Sequence, residues 1–183
     1  ATPTAPTGTI TVSDGSQTCT ITLPATSCNL TSTTAGAKNL TATYNGDSNF
    51  NASAASAAEP HTVNKANTTT AITSDLPDPS SPGQSVTVNF TVTANSPGSG
   101  TPTGNVTVTV SGGAETCTGT VAAGTCNITL TGTGLRTLTA TYVGDANYNG
   151  SASAGTPHTV TVPLQIAKGF APTQVKVNEV SVM

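Results

Sequence analysis

One stretch of eleven residues occurs twice in this chain and limits what the chain can fold into. The second copy, residues 138–148, reads Leu-Thr-Ala-Thr-Tyr-Val-Gly-Asp-Ala-Asn-Tyr, and the first copy, residues 40–50, begins 98 residues earlier. In both copies Leu, Ala and Tyr alternate with Thr, which is the period-2 pattern of a strand buried on one face. The Gly-Asp-x-Asn that follows is turn chemistry, because Gly tolerates positive φ and Asp and Asn side chains bond the nearby backbone. Each repeat is therefore predicted to hold one core strand that runs into a tight loop.

The distance between the copies sets the number of units. A period of 98 residues is the size of one β-sandwich, so the 183 residues are expected to hold repeats of one unit rather than a single large domain. Thr is abundant, which favours strands because its β-branched side chain suits a pleated surface. We predict a first unit at residues 1–64, a second at 65–162, and a tail at 163–183.

The composition excludes two classes of partner. Charged residues make up 7% of the chain, aromatic residues 3%, and the net charge is −3. Nothing in this balance attracts nucleic acid or an anionic membrane surface, so we expect neither as a partner. No stretch reaches the roughly 20 apolar residues that span a bilayer, so no membrane insertion is expected in this segment.

The alternation predicts most of the strands. In the first unit they are expected at residues 9–13, 18–23, 27–32, 38–44 and 60–63. In the second unit they are expected at residues 68–73, 84–93, 105–110, 135–142 and 157–162, together with a hairpin that carries two Cys. Seven strands in about 95 residues, separated by turn residues, are typical of an all-β, Greek-key, immunoglobulin-like β-sandwich.

The two units differ at their starts. The first matches the second only from Pro6-Thr7-Gly8, against Pro102-Thr103-Gly104, so the first two strands have no counterpart in it. The tail carries the apolar spacing of two further strands, at Leu164, Ile166, Val175, Val177, Val180 and Val182. We expect the chain to begin inside one sandwich and to end inside the next. Trimming at both ends explains this pattern, and so does donation of the tail strands to another chain.

These motifs together resemble a known family. Pro-Thr-Gly-[Thr/Asn]-[Ile/Val]-Thr-Val, the Cys-bearing hairpin, and Leu-Thr-Ala-Thr-Tyr-x-Gly-Asp-x-Asn are similar to the bacterial immunoglobulin-like repeat of large surface proteins. The resemblance covers residues 6–64 in part and 65–162 in full, and residues 166–172 look like the start of a different surface repeat. It implies Ig-like sandwiches in tandem, as in stalks, adhesins and extracellular fibres, and it implies no shared catalytic residues.

The four Cys form two pairs with equal spacing, Cys19 with Cys28 and Cys117 with Cys126. Even, regularly spaced Cys in so polar a chain indicate disulfides and an oxidising compartment, so we expect the protein to be secreted or on the cell surface. Each pair is symmetric about a hairpin centre, which predicts a bond across two neighbouring strands. A structural staple is favoured over a redox switch, because a core with few aromatic residues gains from one.

Other candidate residues fit the repeat better than they fit a site. Asp47 and Asp145 are weak calcium candidates, because calcium takes six or more oxygens, so a role in the turn is favoured. His61 and His158 occupy equivalent Pro-His-Thr-Val positions, which repetition explains without metal or catalysis. No Ser stands beside a base in a recognisable motif. We expect no enzyme activity, no metal and no other cofactor.

Two functions from different classes follow from the sequence. The first is structural: the chain is a segment of an extracellular bacterial stalk or fibre, and a filament subunit if the tail of one chain completes the head of the next. Its partners are then copies of itself or neighbouring modules of the same protein. The second is an adhesive module that binds a glycan or a host surface protein through its loops, which requires exposed aromatic or polar residues at one end.

Overall fold

The first unit is one antiparallel sheet of four strands. The computed structural model describes residues 5–164, and none of these residues is helical. The strands are β1 (Thr9–Ser13), β2 (Thr18–Thr22), β3 (Gly36–Tyr44) and β4 (Glu59–Val63). They lie in the order β2-β1-β3-β4, so β1 and β3 are the central pair. Val12 pairs with Cys19 on one side and with Ala42 on the other, which puts the alternating apolar side chains of β1 and β3 on a shared face.

The strand predicted at residues 27–32 is wrong, because the structure forms no strand between residues 23 and 35. The equivalent segment of the second unit does form a strand, since a neighbouring strand of a second sheet pairs with it. The described part of the first unit has no such neighbour, and a strand without a partner leaves its backbone groups without a ladder.

The second unit is a sandwich of two sheets. Its strands are β5 (Thr68–Leu76), β6 (Ser85–Ala94), β7 (Asn105–Val110), β8 (Thr116–Thr120), β9 (Thr125–Thr129), β10 (Gly134–Gly144), β11 (Asn149–Ala152) and β12 (Thr156–Val160). One sheet has the order β5-β6-β9 and the other β11-β10-β7-β8, with β12 also paired to β10. The all-β sandwich is therefore confirmed, and β11 is an eighth strand that the sequence pattern did not indicate.

The core lies between these two sheets. Strand β6 turns alternate side chains inward, and they meet the inward side chains of β7, β9 and β10. The members that are 0–2% exposed are Val86, Val88, Phe90, Val106, Val108, Ile128, Leu130, Leu138, Ala140, Tyr142 and Val160. Full burial of one such aliphatic or aromatic side chain contributes about 1.5–3 kcal/mol, so this single layer supplies most of the stability of the unit.

The segment that joins the units is held by hydrogen bonds. The Ala66 amide donates to the carbonyl of Asn147 (2.9 Å), and the Asn149 amide donates to the carbonyl of Ala66 (2.8 Å), as in a short parallel bridge. The Lys65 ammonium donates to the carbonyl of Asp145 (2.6 Å). The first unit contributes the Ala35 amide, which donates to Asn147 Oδ1 (2.9 Å). The junction is therefore ordered by contacts on both sides.

Candidate functional site

The feature that most distinguishes the first unit is the uncovered side of its sheet. We call this the open face, and it consists of Ile10, Val12, Leu40, Ala42 and Tyr44. Each of these side chains is only half-buried. Their counterparts in the second unit, which are 0–1% exposed because β6 and β9 pack over them, are Val106, Val108, Leu138, Ala140 and Tyr142.

The open face is shaped for a second sheet. In the second unit the covering strand β6 presents Val86, Val88, Phe90 and Val92 at alternate positions. Among residues 5–64, no strand presents such a row to the open face. A contiguous apolar surface that is only half-buried is a place where another element can bind. The open face is therefore the candidate functional site.

The disulfides do not sit as the sequence predicts. Cys117 lies on β8 and Cys126 on β9, and these strands belong to different sheets. The two Cα atoms are 5.8 Å apart. The predicted bond across one hairpin is wrong here, because β8 pairs with β7 while β9 pairs with β6. The bond instead ties one layer of the sandwich to the other.

The equivalent disulfide of the first unit has only one sheet to tie. Cys19 lies on β2, and its partner Cys28 lies in the segment that forms no strand, with Cα atoms 6.0 Å apart. Both bonds close loops of the same sequence separation, 9 residues. In the first unit the bond therefore holds residues near the edge of the sheet without joining two layers.

The Gly-Asp loops are built alike in both units. One oxygen of Asp145 accepts from the Thr103 amide and hydroxyl (2.9 and 2.7 Å), and the other accepts from the Asn147 and Tyr148 amides (2.8 and 2.9 Å). Asp47 accepts the same four bonds from Thr7, Asn49 and Phe50. Both carboxylates are thus used within the turn, and the calcium role weighed from the sequence stays without a supporting contact.

These hydrogen bonds shift the pKa of both carboxyls. The bonds from Thr7 contribute most to holding the pKa of Asp47 well below its usual range. Burial opposes ionisation of Asp145, but the hydrogen bonds from Thr103, Asn147 and Tyr148 outweigh it, so its pKa is also well below the usual range. Both groups are therefore carboxylates in neutral solution, which is the form that accepts four hydrogen bonds.

The repeated tyrosines lie near the ends of β3 and β10, just before the turns, and within residues 5–164 the Tyr142 hydroxyl is buried without a hydrogen-bond partner. The Tyr44 hydroxyl donates to the carbonyl of Thr7 (2.7 Å). Tyr142 occupies the equivalent position, and its side chain is 1% exposed. Burial, followed by the charge of Asp145, raises the pKa of Tyr142 to about 12. Both rings pack at the end of the core strand, as their place in the repeat predicts.

The donor-strand candidates fall almost entirely outside the described residues. Leu164, the one that is described, is 85% exposed. The others, which lie beyond residue 164, are Ile166, Val175, Val177, Val180 and Val182. Their assignment as donor strands therefore stays a prediction.

The two histidines have different surroundings in spite of their equivalent positions. His61 on β4 is exposed, whereas His158 on β12 is 0% exposed. His158 Nδ1 lies 2.9 Å from Asp75 Oδ2, and its Nε2 lies 2.9 Å from the Ser80 hydroxyl. The expectation that no Ser stands beside a base is therefore wrong. Ser80 is itself 1% exposed, so its hydroxyl has no access to a substrate.

The sequence does contain a weak signal for this network. Asp75 lies near the end of β5, beyond the strand predicted at residues 68–73, and Ser80 lies in the Pro-rich crossing between β5 and β6. Prolines at positions 77, 79 and 82 restrict that crossing to few conformations. A polar residue between two prolines, such as Ser80, is held in a restricted backbone conformation and is a candidate for a specific hydrogen bond. The sequence does not identify its partner, because His158 is 78 residues away.

A polar cleft lies at the junction between the units. It is lined by residues 31–35, 63–67, 95–100 and 147–148. The aromatic residue there, Tyr148, is 9% exposed, and its hydroxyl donates to the carbonyl of Ser99 (2.6 Å). Tyr148 therefore closes the cleft structurally and does not offer a free aromatic surface to a sugar or a peptide.

Comparison with known proteins agrees with this architecture. A family described as bacterial Ig-like domain (group 3) matches residues 1–64 and 72–162. A solved structure described as fibronectin(III)-like modules of Clostridium thermocellum CbhA is similar at 16% identity and a TM-score of 0.38, over 93% of this chain and 87% of that chain. No curated protein sequence matches. The family match spans both units, and the resemblance expected from the repeated motifs is confirmed.

Proposed function

Since the chain belongs to the bacterial Ig-like domain family (group 3), we propose that it is a structural module of an extracellular bacterial stalk or fibre. The observation that carries this proposal is the ordered junction, in which the Ala35 amide of the first unit donates to Asn147 Oδ1 of the second and the Ala66 amide of the link donates to the Asn147 carbonyl. A spacer must keep its units in line, and a link with fixed backbone bonds does so better than a flexible one.

An extracellular location agrees with the chemistry of the chain. Both pairs of Cys are disulfide bonded, and such bonds persist in oxidising surroundings outside the cytoplasm. The low charge of the chain creates no long-range field that would steer a charged partner toward the units. In the part of the chain that the structure describes, no helix is long and apolar enough to cross a membrane.

The stiffness of the junction can be measured directly. Distances between spin labels, one on each unit, should form a single narrow distribution in the unaltered chain. Ala66→Pro removes the amide that donates to Asn147 and should broaden that distribution. Ala57→Pro, in the strand-free segment before β4, is the matched control and should leave it narrow. A broad distribution in the unaltered chain would contradict the spacer role.

The finer proposal concerns the open face. Strands from another copy of the chain complete the first unit, so that copies join head to tail into a filament. The half-buried apolar row of β1 and β3, whose counterparts in the second unit are fully covered, supports a binding role for this face. Two pairs of alternating valines, Val175 with Val177 and Val180 with Val182, supply side chains of the size that β6 presents in the second unit.

Filament assembly offers matched variants on both sides of the contact. Val12→Asp places a charge on the open face, whereas Thr11→Asp places it on the opposite side of β1. In the tail, Val177→Asp interrupts the apolar row and Lys176→Asp does not. Electron microscopy of negatively stained chains at micromolar concentration should show filaments for the unaltered chain and both controls, and short particles for the other two.

The same experiment separates the finer proposal from the coarser one. If the unaltered chain forms only short, uniform rods, head-to-tail completion is wrong and the role as a spacer is untouched. If all five chains form filaments, the contact lies elsewhere on the molecule. Removal of residues 164–183 should abolish the filaments without loss of solubility.

The adhesive function has weaker support. A loop-borne binding site needs exposed aromatic or well-ordered polar residues, and Tyr148 is used to close the junction cleft. A glycan array that is bound by the unaltered chain, and no longer bound after Tyr148→Ala, would favour adhesion over a purely structural role.

A further inference from the structure

A buried histidine and two aspartates form a cluster at one end of the sandwich. His158 Nδ1 lies 2.9 Å from Asp75 Oδ2 and 3.7 Å from Asp78 Oδ1. The three possible ligand atoms all lie within 4.8 Å of one another. We propose that Asp75, Asp78 and His158 bind one divalent cation of the zinc type.

The orientation of the imidazole supports metal binding. In metal sites the second ring nitrogen of a ligating histidine is held by an oxygen, which fixes the tautomer. Here the Ser80 hydroxyl lies 2.9 Å from Nε2. In the cation-bound form Nε2 keeps its proton and donates it to Ser80, which leaves the lone pair of Nδ1 for the cation beside the two carboxylates. Ser80 is therefore a positioning residue for the proposed site.

The backbone around the cluster is already fixed. The Ser80 amide donates to the carbonyl of Thr159, and the Thr161 amide donates to the carbonyl of Ser80 (3.0 and 2.8 Å). The Thr159 amide also donates to Asp78 Oδ1 (2.9 Å). The crossing and β12 are thus bound together before a cation arrives, so little ordering is needed to bring the ligands into place.

Access and charge both favour the binding of a cation at this cluster. The side chains of His158 and Asp75 are 0% and 13% exposed, whereas that of Asp78 is 34% exposed and opens the cluster to solvent. Two carboxylates carry more negative charge than one imidazole can neutralise. Arg136 lies opposite His158 in the β-ladder. Its guanidinium does not neutralise these carboxylates, because it donates to the carbonyls of Ser111, Gly112 and Gly132.

The donor set selects the class of cation. One imidazole nitrogen and two carboxylate oxygens suit zinc, which binds four ligands and accepts water as the fourth. Calcium takes six to eight oxygens and no nitrogen, so it is a poor match. The proposed site therefore discriminates between zinc and calcium through its histidine.

The first unit supplies an internal control. His61 lies in the same Pro-His-Thr-Val sequence and pairs with Lys38 as His158 pairs with Arg136. His61 is exposed. Asp75 and Asp78 come from β5 and the crossing after it, and residues 5–64 contain no counterpart of these two segments. His61 should therefore bind no zinc.

Nuclear magnetic resonance of the imidazole nitrogens tests the site in the full chain, because the chain has two histidines. Zinc chloride should shift the Nδ1 resonance of His158 in a saturable way and leave His61 unchanged. Calcium chloride at the same concentration should shift neither. Failure of zinc to shift His158, or a shift of His61 alone, would overturn the proposal.

Two variants sharpen this test. Asp78→Asn keeps the acceptor for the Thr159 amide but removes a charged ligand, so zinc affinity should fall at least about tenfold. His61→Gln should bind zinc as the unaltered chain does. Equal affinity in Asp78→Asn and the unaltered chain would contradict the proposal. The amide spectrum of each variant reports its fold, and the titration of the unaltered chain decides the question without them.

Discussion

The two units of this protein carry the same core strand in two different surroundings. Leu138 and Tyr142 of the second unit are 0–1% exposed, and their counterparts Leu40 and Tyr44 in the first are half-buried. The strand, its pairing to the preceding strand, and the Gly-Asp turn after it are alike in both units. What differs is the presence of a second sheet over that strand.

This difference distinguishes the features that form within one sheet, such as the turns, from the burial of the core, which requires a second sheet. The turns are formed within each sheet, since Asp47 and Asp145 accept equivalent hydrogen bonds from the two following amides and from the Thr before the neighbouring strand of the same sheet. The core is not local, because its burial depends on β6 and β9. Changes to the core should therefore affect the units unequally, and changes to the turns should affect them equally.

The largest effect is expected in the core. Leu138→Ala should lower the free energy of unfolding of the second unit by about 3 kcal/mol, since it leaves a cavity between two packed sheets. Leu40→Ala should cost less than about 1.5 kcal/mol in the first unit, because the side chain is half-exposed. Urea unfolding followed by unit-specific amide signals measures both. Equal losses would mean that Leu40 is covered in solution.

The disulfides should show the next largest difference. Replacing Cys117 and Cys126 by Ser should lower the free energy of unfolding of the second unit by about 2–3 kcal/mol, through the entropy of the unfolded chain. Replacing Cys19 and Cys28 lifts an equal constraint on the unfolded chain, because both loops span 9 residues, but its net cost should be smaller, because in the folded state this bond holds no second layer and Cys28 lies in a segment without a ladder. Urea titrations of the two double variants make the comparison. A larger loss in the first unit would contradict this explanation.

The turns should respond alike. Gly46 and Gly144 have φ of 83° and 89°, and a Cβ at either position would lie 2.8 Å from a backbone atom of the returning chain. Gly46→Ala and Gly144→Ala should each cost about 1–3 kcal/mol, from strain at positive φ and the close approach. Thermal unfolding of both variants checks this. A cost confined to one unit would show that the turn depends on the second sheet.

The smallest effect is expected from pH. Hydrogen bonds, of which the one from Ser32 has the largest effect, lower the pKa of Asp14 from 3.8 to about 2. Hydrogen bonds, of which the one from Thr131 has the largest effect, lower the pKa of Glu115 from 4.5 to about 2. A lowered pKa in the folded state stabilises above the ordinary pKa, and this stabilisation is lost as the pH falls toward 2. Asp14→Asn should therefore flatten the acid dependence of the first unit, and Glu115→Gln that of the second.

Urea midpoints measured between pH 6 and pH 2.5 test this assignment. Each substitution should change the slope of its own unit and leave that of the other unaltered. If the acid dependence of the first unit is the same with Asp14 and with Asn, other carboxyls control it.

The sequence predicted the features that depend on residues close together in the chain and on the period of the apolar pattern, namely most strands and both turns. Alternating apolar residues located β1, β3, β6, β7 and β10, and the Gly-Asp motif identified the turns. The prediction from the sequence was wrong where a feature depends on which strands pair with each other. Residues 27–32 have the pattern of a strand but no partner in the described unit, and the disulfide of the second unit joins two sheets because β8 and β9 pair with different neighbours.

The cluster around His158 was missed for the same reason. Its members Asp75 and Ser80 are separated from His158 by 83 and 78 residues, and no periodic pattern links them. The identical Pro-His-Thr-Val of the first unit has an exposed histidine. The local sequence is therefore compatible with either environment, and the strands packed around it decide between them.

Hydrogen exchange of the unaltered chain, measured at nanomolar and at micromolar concentrations, tests the central claim that the open face binds strands from another copy. The amides of β1 and β3 should exchange faster than those of β7 and β10 in dilute solution and should gain protection as the concentration rises. The amides of β7 and β10 should not change, because their sheet is already covered. Equal protection of β1 and β3 at the two concentrations would contradict the claim.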